Sequence, residues 1–165
     1  GLMCLLAARA RGARDITVVD LNPERLERAR ALGARVVDSR HERFDEREYD
    51  VLLECSGVAS VTLAGMRALA RGARAVLVGM GGDTVELPLS ALQEREVSAT
   101  GVFRYANTWP QALAMLAGGV VEVDDLVTGR FDLADGEHRH RRHVGDKGGN
   151  HRDRHADHAI AIARA

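Results

Sequence analysis

The β-branched run Ile16-Thr17-Val18-Val19 ends on a carboxylate, Asp20, and Asn22-Pro23 follows directly. An acid at the end of such a strand has two uses. It can accept hydrogen bonds from both hydroxyls of an adenosine ribose while repelling a 2′-phosphate. It can equally cap the helix that Pro23 begins. On this segment alone the two readings stand even. Arg25 lies five residues on. It suits the edge of such a ribose, or a solvated helix charge paired with a neighbouring Glu.

Three other places carry candidate chemistry. A dinucleotide fold needs a glycine-rich turn that lets backbone approach a pyrophosphate at a helix N-terminus. Here the chain begins at Gly1 and enters a helical pattern at once. Gly1 fits the last glycine of such a turn, and Asp20 then lies at the expected spacing of about 20 residues. Two short loops, Cys55-Ser56-Gly57 and Gly79-Met80-Gly81-Gly82, follow apolar strands. Small residues there let a flat ring lie against bare backbone, although ordinary strand-to-helix turns use the same residues. Phe103-Arg104-Tyr105-Ala106-Asn107-Thr108-Trp109-Pro110 gathers three of the six aromatics. Arg104 suits a hydroxyl-bearing or carboxylate ligand, or simply a surface beside core aromatics.

Positioning these residues takes alternating strands and helices. Hydrophobic spacing predicts a first helix to about Ala13, stopped near Gly12, then a strand over 15–20. A helix over 24–32 closes at Gly33, and a strand follows over 35–38. The charged stretch 39–49 reads as a surface loop or short helix. Further strands are expected at 50–55, 74–78 and 96–103, with helices at 58–70, 88–94 and 109–116. The order implies an α/β fold: a Rossmann-like, doubly wound parallel sheet that binds ligands outside the carboxyl ends of its strands.

Composition narrows the partners. The 165 residues carry a net charge of -1 and are 45% hydrophobic. One domain is expected, and neither nucleic acid nor an anionic membrane is favoured as a partner. No apolar run approaches the roughly 20 residues that span a bilayer. The opening Gly1–Ala8 is apolar but has no basic segment before it, so it is not read as a signal peptide. Cys4 and Cys55 read as two buried thiols of a cytoplasmic protein, with no partners at metal-ligand spacing.

The tail breaks the pattern. Six of the seven histidines lie between His138 and His158, and no leucine follows Leu133. Residues 136–165 read as a low-complexity His/Arg/Gly tail: disordered, read from a shifted frame, or binding metal through its histidines.

Taken together, Asp20 with Arg25, Glu54-Cys55-Ser56-Gly57, Val78-Gly79-Met80-Gly81 and Gly101–Pro110 resemble the zinc-dependent medium-chain dehydrogenases. The branch they most resemble is that of the sorbitol (polyol) dehydrogenases. The Phe-Arg-Tyr-x-Asn-Thr-Trp-Pro stretch is the most specific part, and the likeness runs from Gly1 to about Asp135. The resemblance implies NAD rather than NADP, read by Asp20 with Arg25 beside the ribose. It implies that Ser56, Val78, Gly79 and Met80 line the nicotinamide side, and that Phe103 and Arg104 face nicotinamide and substrate. In such enzymes zinc polarises the alcohol oxygen while hydride passes to the nicotinamide. Its ligands sit in an amino-terminal catalytic domain, so no catalytic or metal-binding residue is assigned in this chain. A small polyol or secondary alcohol is the implied substrate, and a homo-oligomer the implied assembly.

On this reading residues 1–135 are a partial NAD-binding domain lacking its first, central strand. A gap is expected between strands 15–20 and 51–55, with unpaired backbone on both sides. The chain alone is then expected to be poorly stable and not to catalyse. Two other readings stay open. One is an S-adenosylmethionine-dependent methyltransferase-like domain, which a late antiparallel hairpin would support. The other is a gene remnant with a metal-binding histidine tail.

Overall fold

The computed structural model describes residues 1–44, 48–127 and, for their backbone, 159–164. These fall into two compact units, one of residues 1–104 with 159–164 and one of residues 105–127.

In the first unit, helix α1 (Leu2–Ala10) leads into strand β1 (Asp15–Asp20) through Gly12, whose φ of 93° few other residues adopt. Helix α2 (Pro23–Ala31) starts where Asn22 accepts hydrogen bonds from the amides of Glu24 and Arg25. Strands β2 (Arg35–Asp38) and β3 (Tyr49–Glu54) follow, then α3 (Ala59–Arg67) and β4 (Leu69–Leu77). A short α4 (Leu89–Glu94) precedes the edge strand β5 (Ser98–Gly101). The second unit holds α5 (Trp109–Ala117) and a 3₁₀ turn over Asp124–Leu126, and in it the rings of Tyr105 and Trp109 lie 5.2 Å apart.

Three observed elements depart from the periodicity. The predicted helix 58–70 stops at Arg67, and β4 begins at Leu69 instead of residue 74. Arg95 supports the early stop: its guanidinium donates to the carbonyl of Arg67 (2.9 Å), which the helix end leaves open, and to that of Leu69 at the start of β4. Leu69 then pairs with Tyr49 and is fully buried, and the register shifts before Val51. The fifth strand is also shorter than expected, with all four residues exposed.

The sheet order is β2-β1-β6-β3-β4-β5. The pairings β1–β2, β3–β4 and β4–β5 are parallel, as expected. Every residue of β1 after Asp15 is buried, the pattern of a strand covered on both faces. One face packs Leu5, Ile16, Val18 and Ala29 from α1, β1 and α2. The other packs Val19, Val37, Tyr49, Leu52, Met66 and Leu69.

The sixth strand corrects the expectation of open edges. Strands β1 and β3 do not pair with each other, but no gap remains between them. Strand β6 (Ala159–Arg164) lies there, antiparallel to both. Its register runs Asp15↔Arg164 to Asp20↔Ala159 on one side and Val51↔Ala163 to Glu54↔Ile160 on the other. Ala159-Ile160-Ala161-Ile162-Ala163 is an uncharged alternation of small and β-branched residues, suited to a central strand. This part of the tail is therefore a strand, not low-complexity chain. It also removes the ground for expecting two unpaired edges. Residues 136–158, with the histidine cluster, lie outside the described residues, as do Phe131–Asp135.

Candidate functional site

Strands β1 to β4 are mutually parallel, so their carboxyl ends share one edge, and three of the four end on an acid: Asp20, Asp38 and Glu54. Each carboxylate does something different there.

Asp20 is 1% exposed. Its Oδ1 accepts from the amides of Leu21 (2.7 Å) and Asn22 (2.9 Å). Asp20 therefore shapes the turn, while Asn22 caps α2. The helix-capping alternative for Asp20 is corrected to this extent: the cap is Asn22. The second oxygen faces Arg25, whose Nη1 is 3.9 Å away on a side chain 34% exposed. Arg25 thus joins Asp20 at the end of β1. A ligand hydroxyl can reach the buried carboxylate only when Arg25, or another covering group, moves aside.

Asp38 ends the neighbouring strand, in register with Asp20. Arg40 folds back on it, with Nε 2.9 Å from Oδ1. That hydrogen-bonded guanidinium holds the Asp38 carboxyl down at about 2. Asp38 is committed to its own turn.

Glu54 is the group whose importance sequence spacing did not reveal. It is 1% exposed and closes the turn that follows β3. The amides of Ser56 (2.9 Å) and Gly57 (3.1 Å) donate to it, as does the Ser56 hydroxyl. The Ser56 oxygen in turn accepts from the Val58 amide at 3.0 Å. The backbone carbonyl of Glu54 receives the amides of Val78 and Gly79 at 2.7 and 2.8 Å. Glu54 thereby ties the loops after β3 and β4 together. The available signal was an acid closing an apolar strand just before Ser-Gly. Ser56 is buried, and its hydroxyl is occupied by these bonds.

The two loops touch backbone to backbone. A Cβ on Gly79 would lie 2.3 Å from the Gly57 nitrogen, and one on Gly81 would lie 1.8 Å from the Gly57 oxygen. Gly57 itself has φ of 68° and abuts the Met80 carbonyl. Glycine at these positions is a steric requirement of the seam. A shallow cleft of about 130 Å³ opens beside it, lined by Gly57, Thr62, Gly79 and Gly81 among others. It is smaller than the roughly 300 Å³ at which small-molecule pockets begin. A dinucleotide would have to lie along the open edge, not inside the cleft. Val78 and Gly79 are half-buried there and Met80 is 71% exposed.

The remaining candidates sit as follows. Gly1 precedes α1 and its carbonyl accepts from Leu5. The first turn of α1 reaches the same sheet edge, because Cys4 Sγ lies 3.4 Å from Cys55 Sγ just beyond β3. The two thiols are half-buried, not buried as expected from their apolar surroundings. Phe103 is 72% exposed, with the Arg104 guanidinium 4.7 Å from its ring centre. Both belong to the first unit, while Tyr105 to Pro110 belong to the second. Among the described residues no group of three or more His, Cys, Asp or Glu could hold a metal ion.

Comparison with known proteins gives this edge a family. The zinc-binding dehydrogenase family matches residues 1–118. Sorbitol dehydrogenase of Ovis aries is 41% identical over 144 residues, covering 81% of this chain and 41% of its own length. L-idonate 5-dehydrogenase of Escherichia coli superposes with a TM-score of 0.77 at 30% identity, over 88% of this chain and 44% of that one. A Sinorhizobium meliloti protein solved bound to NADP shares the fold with a TM-score of 0.78 at 24% identity, over 83% of this chain and 44% of its own. The chain thus spans about two fifths of the length of the curated relatives it matches. The methyltransferase alternative falls with these matches. A family match over residues 1–118, with a relative 41% identical over 81% of the chain, means that the chain belongs to the zinc-binding dehydrogenase family.

Proposed function

We propose that this chain is the dinucleotide-binding portion of an NAD-dependent polyol or secondary-alcohol dehydrogenase. The observation that carries the cofactor choice is Asp20, a buried carboxylate at the end of β1 with Arg25 beside it. A protein of this fold holds NADP, so the fold does not decide between the two cofactors. The acid does: it accepts from ribose hydroxyls and repels a 2′-phosphate.

The rest of the edge supports the same placement. The glycine seam of Gly57, Gly79 and Gly81 lets backbone approach a flat ring, with Val78 and Met80 flanking it. Ser56 contributes by fixing this loop through Glu54. Gly1 starts the helix whose N-terminus suits a pyrophosphate. Phe103 and Arg104 present an exposed ring and cation for the nicotinamide and a hydroxylated substrate. Zinc would supply Lewis-acid polarisation of the alcohol oxygen and the nicotinamide would accept the hydride, but no described residue of this chain would hold the metal. The family resemblance assigns the zinc ligands to a separate catalytic domain. It is also the ground for a small polyol or alcohol substrate and a homo-oligomeric assembly, while a cytoplasmic setting rests on the two free thiols.

Calorimetric titration of the 165-residue chain with NADH and NADPH tests this reading. NADH is expected to bind at least about tenfold more tightly, a difference of about 1.4 kcal/mol. Equal affinities, or tighter NADPH, would refute it.

A further inference from the structure

We infer that Cys4 and Cys55 form a reversible thiol–disulfide site that can clamp the first turn of α1 to the loop after β3. The two sulfurs are 3.4 Å apart, on residues 51 positions apart in sequence. Both are free thiols and both are half-buried, so a small reagent can reach them. A disulfide needs its sulfurs about 2.05 Å apart, so they must close by roughly 1.4 Å. Neither residue belongs to the proposed cofactor contacts, and neither has a metal-binding cluster around it among the described residues.

The partners are not equivalent. The hydrogen bond from the Cys55 thiol pulls Cys4 down to about 6, against the opposing effect of burial. Cys55 is pushed up, first by that same bond and then by burial and the neighbouring Cys4. Cys4 is therefore the attacking thiolate at neutral pH. With a low-molecular-weight disulfide as oxidant, Cys4 attacks one of its sulfurs and releases one thiolate, leaving a mixed disulfide on Cys4. Cys55 then loses its proton to solvent and attacks the Cys4 sulfur, releasing the second thiolate. Two protein thiols are oxidised to one disulfide, and one small disulfide is reduced to two thiols.

The new bond would link a helix to a loop that Glu54 and the glycine seam already hold.

The test treats the folded chain with oxidised glutathione at pH 7. The readouts are free-thiol count, intact mass and peptide mapping. The expected product is a monomer that has lost both thiols and two hydrogens, carries a Cys4–Cys55 linked peptide, and is restored by dithiothreitol. Cys55→Ser, which keeps a hydrogen-bond donor to Cys4, is expected to stop at a glutathione adduct on Cys4. That adduct should form at least about fivefold faster than the one on Cys55 in Cys4→Ser. Stable glutathione adducts on both cysteines of the unsubstituted chain, without a linked peptide, would overturn the inference. The unsubstituted chain alone decides this point if either variant fails to fold.

Discussion

Replacing Gly81 by alanine should damage the molecule, while the same change at Gly82 should not. The two residues are adjacent in one loop, yet their surroundings differ. A Cβ on Gly81 would sit 1.8 Å from the Gly57 oxygen and 2.8 Å from its carbon, both backbone atoms. A Cβ on Gly82 meets nothing within 4 Å. Real Cβ atoms essentially never approach closer than 3.0 Å, so Gly81→Ala must part the two loops by about 1.2 Å. Overpacking of this kind costs about 1–3 kcal/mol. For a chain of this size that is roughly 3–10 °C in Tm. The seam is also the proposed nicotinamide face, so NADH affinity should fall at least about tenfold. Gly82→Ala should change stability by less than about 1 kcal/mol and leave NADH binding unaltered. Urea unfolding and calorimetric NADH titration of both variants give the comparison. Equal behaviour of the two, or a Gly81→Ala protein indistinguishable from its parent, would show that the loops are not packed as described.

Other expectations follow from the same edge and sheet. Glu54→Ala leaves the Ser56 and Gly57 amides and the Ser56 hydroxyl without their acceptor, and should cost about 3–5 kcal/mol in urea unfolding. A loss below about 1 kcal/mol would mean that the carboxylate does not organise the loop. Ending the chain at His158 removes β6 and bares the facing edges of β1 and β3. The amides of Ile16 to Val19 should then lose hydrogen-exchange protection and the chain should self-associate, whereas unchanged protection would contradict the central placement of β6. Asp38, held low by Arg40, should titrate near 2 by NMR and move up towards the usual carboxylate range in Arg40→Ala. The sign follows from the depressed folded-state value: this contact stabilises above the ordinary carboxylate range and is lost as pH falls through about 2. A midpoint for Asp38 that ignores Arg40 would break that argument.

The parallel order of strands, the start of α2 at Pro23 with its close near Gly33, and the placement of Asp20 were legible because each rests on local chemistry. β-Branched runs, Asn22-Pro23 and Gly33 act within a few residues of themselves. What was not legible depends on contacts distant in sequence. The stop of α3 at Arg67 is supported by a guanidinium from residue 95. The nearness of Cys4 to Cys55 needs the packing of α1 over the sheet. Strand β6 is the clearest case. Its Ala-Ile alternation is short and follows a polar stretch, and only the vacancy between β1 and β3 gives it a partner on each side. Glu54 is the local exception: its three donors lie only two and three residues on, at Ser56 and Gly57, and the acid was visible at its strand end while the turn that folds them back onto it was not.

The central claim is that Asp20 chooses the cofactor, and Asp20→Asn tests it most directly. Asparagine keeps an oxygen for the Leu21 and Asn22 amides, so the turn survives while the charge is removed. NADH and NADPH dissociation constants are measured for both proteins, and their ratio is compared. Loss of a charged acceptor and of the repulsion of a 2′-phosphate should shift that ratio towards NADPH by at least about tenfold, near 1.4–3 kcal/mol. A ratio unchanged by Asp20→Asn would show that this carboxylate serves the turn alone.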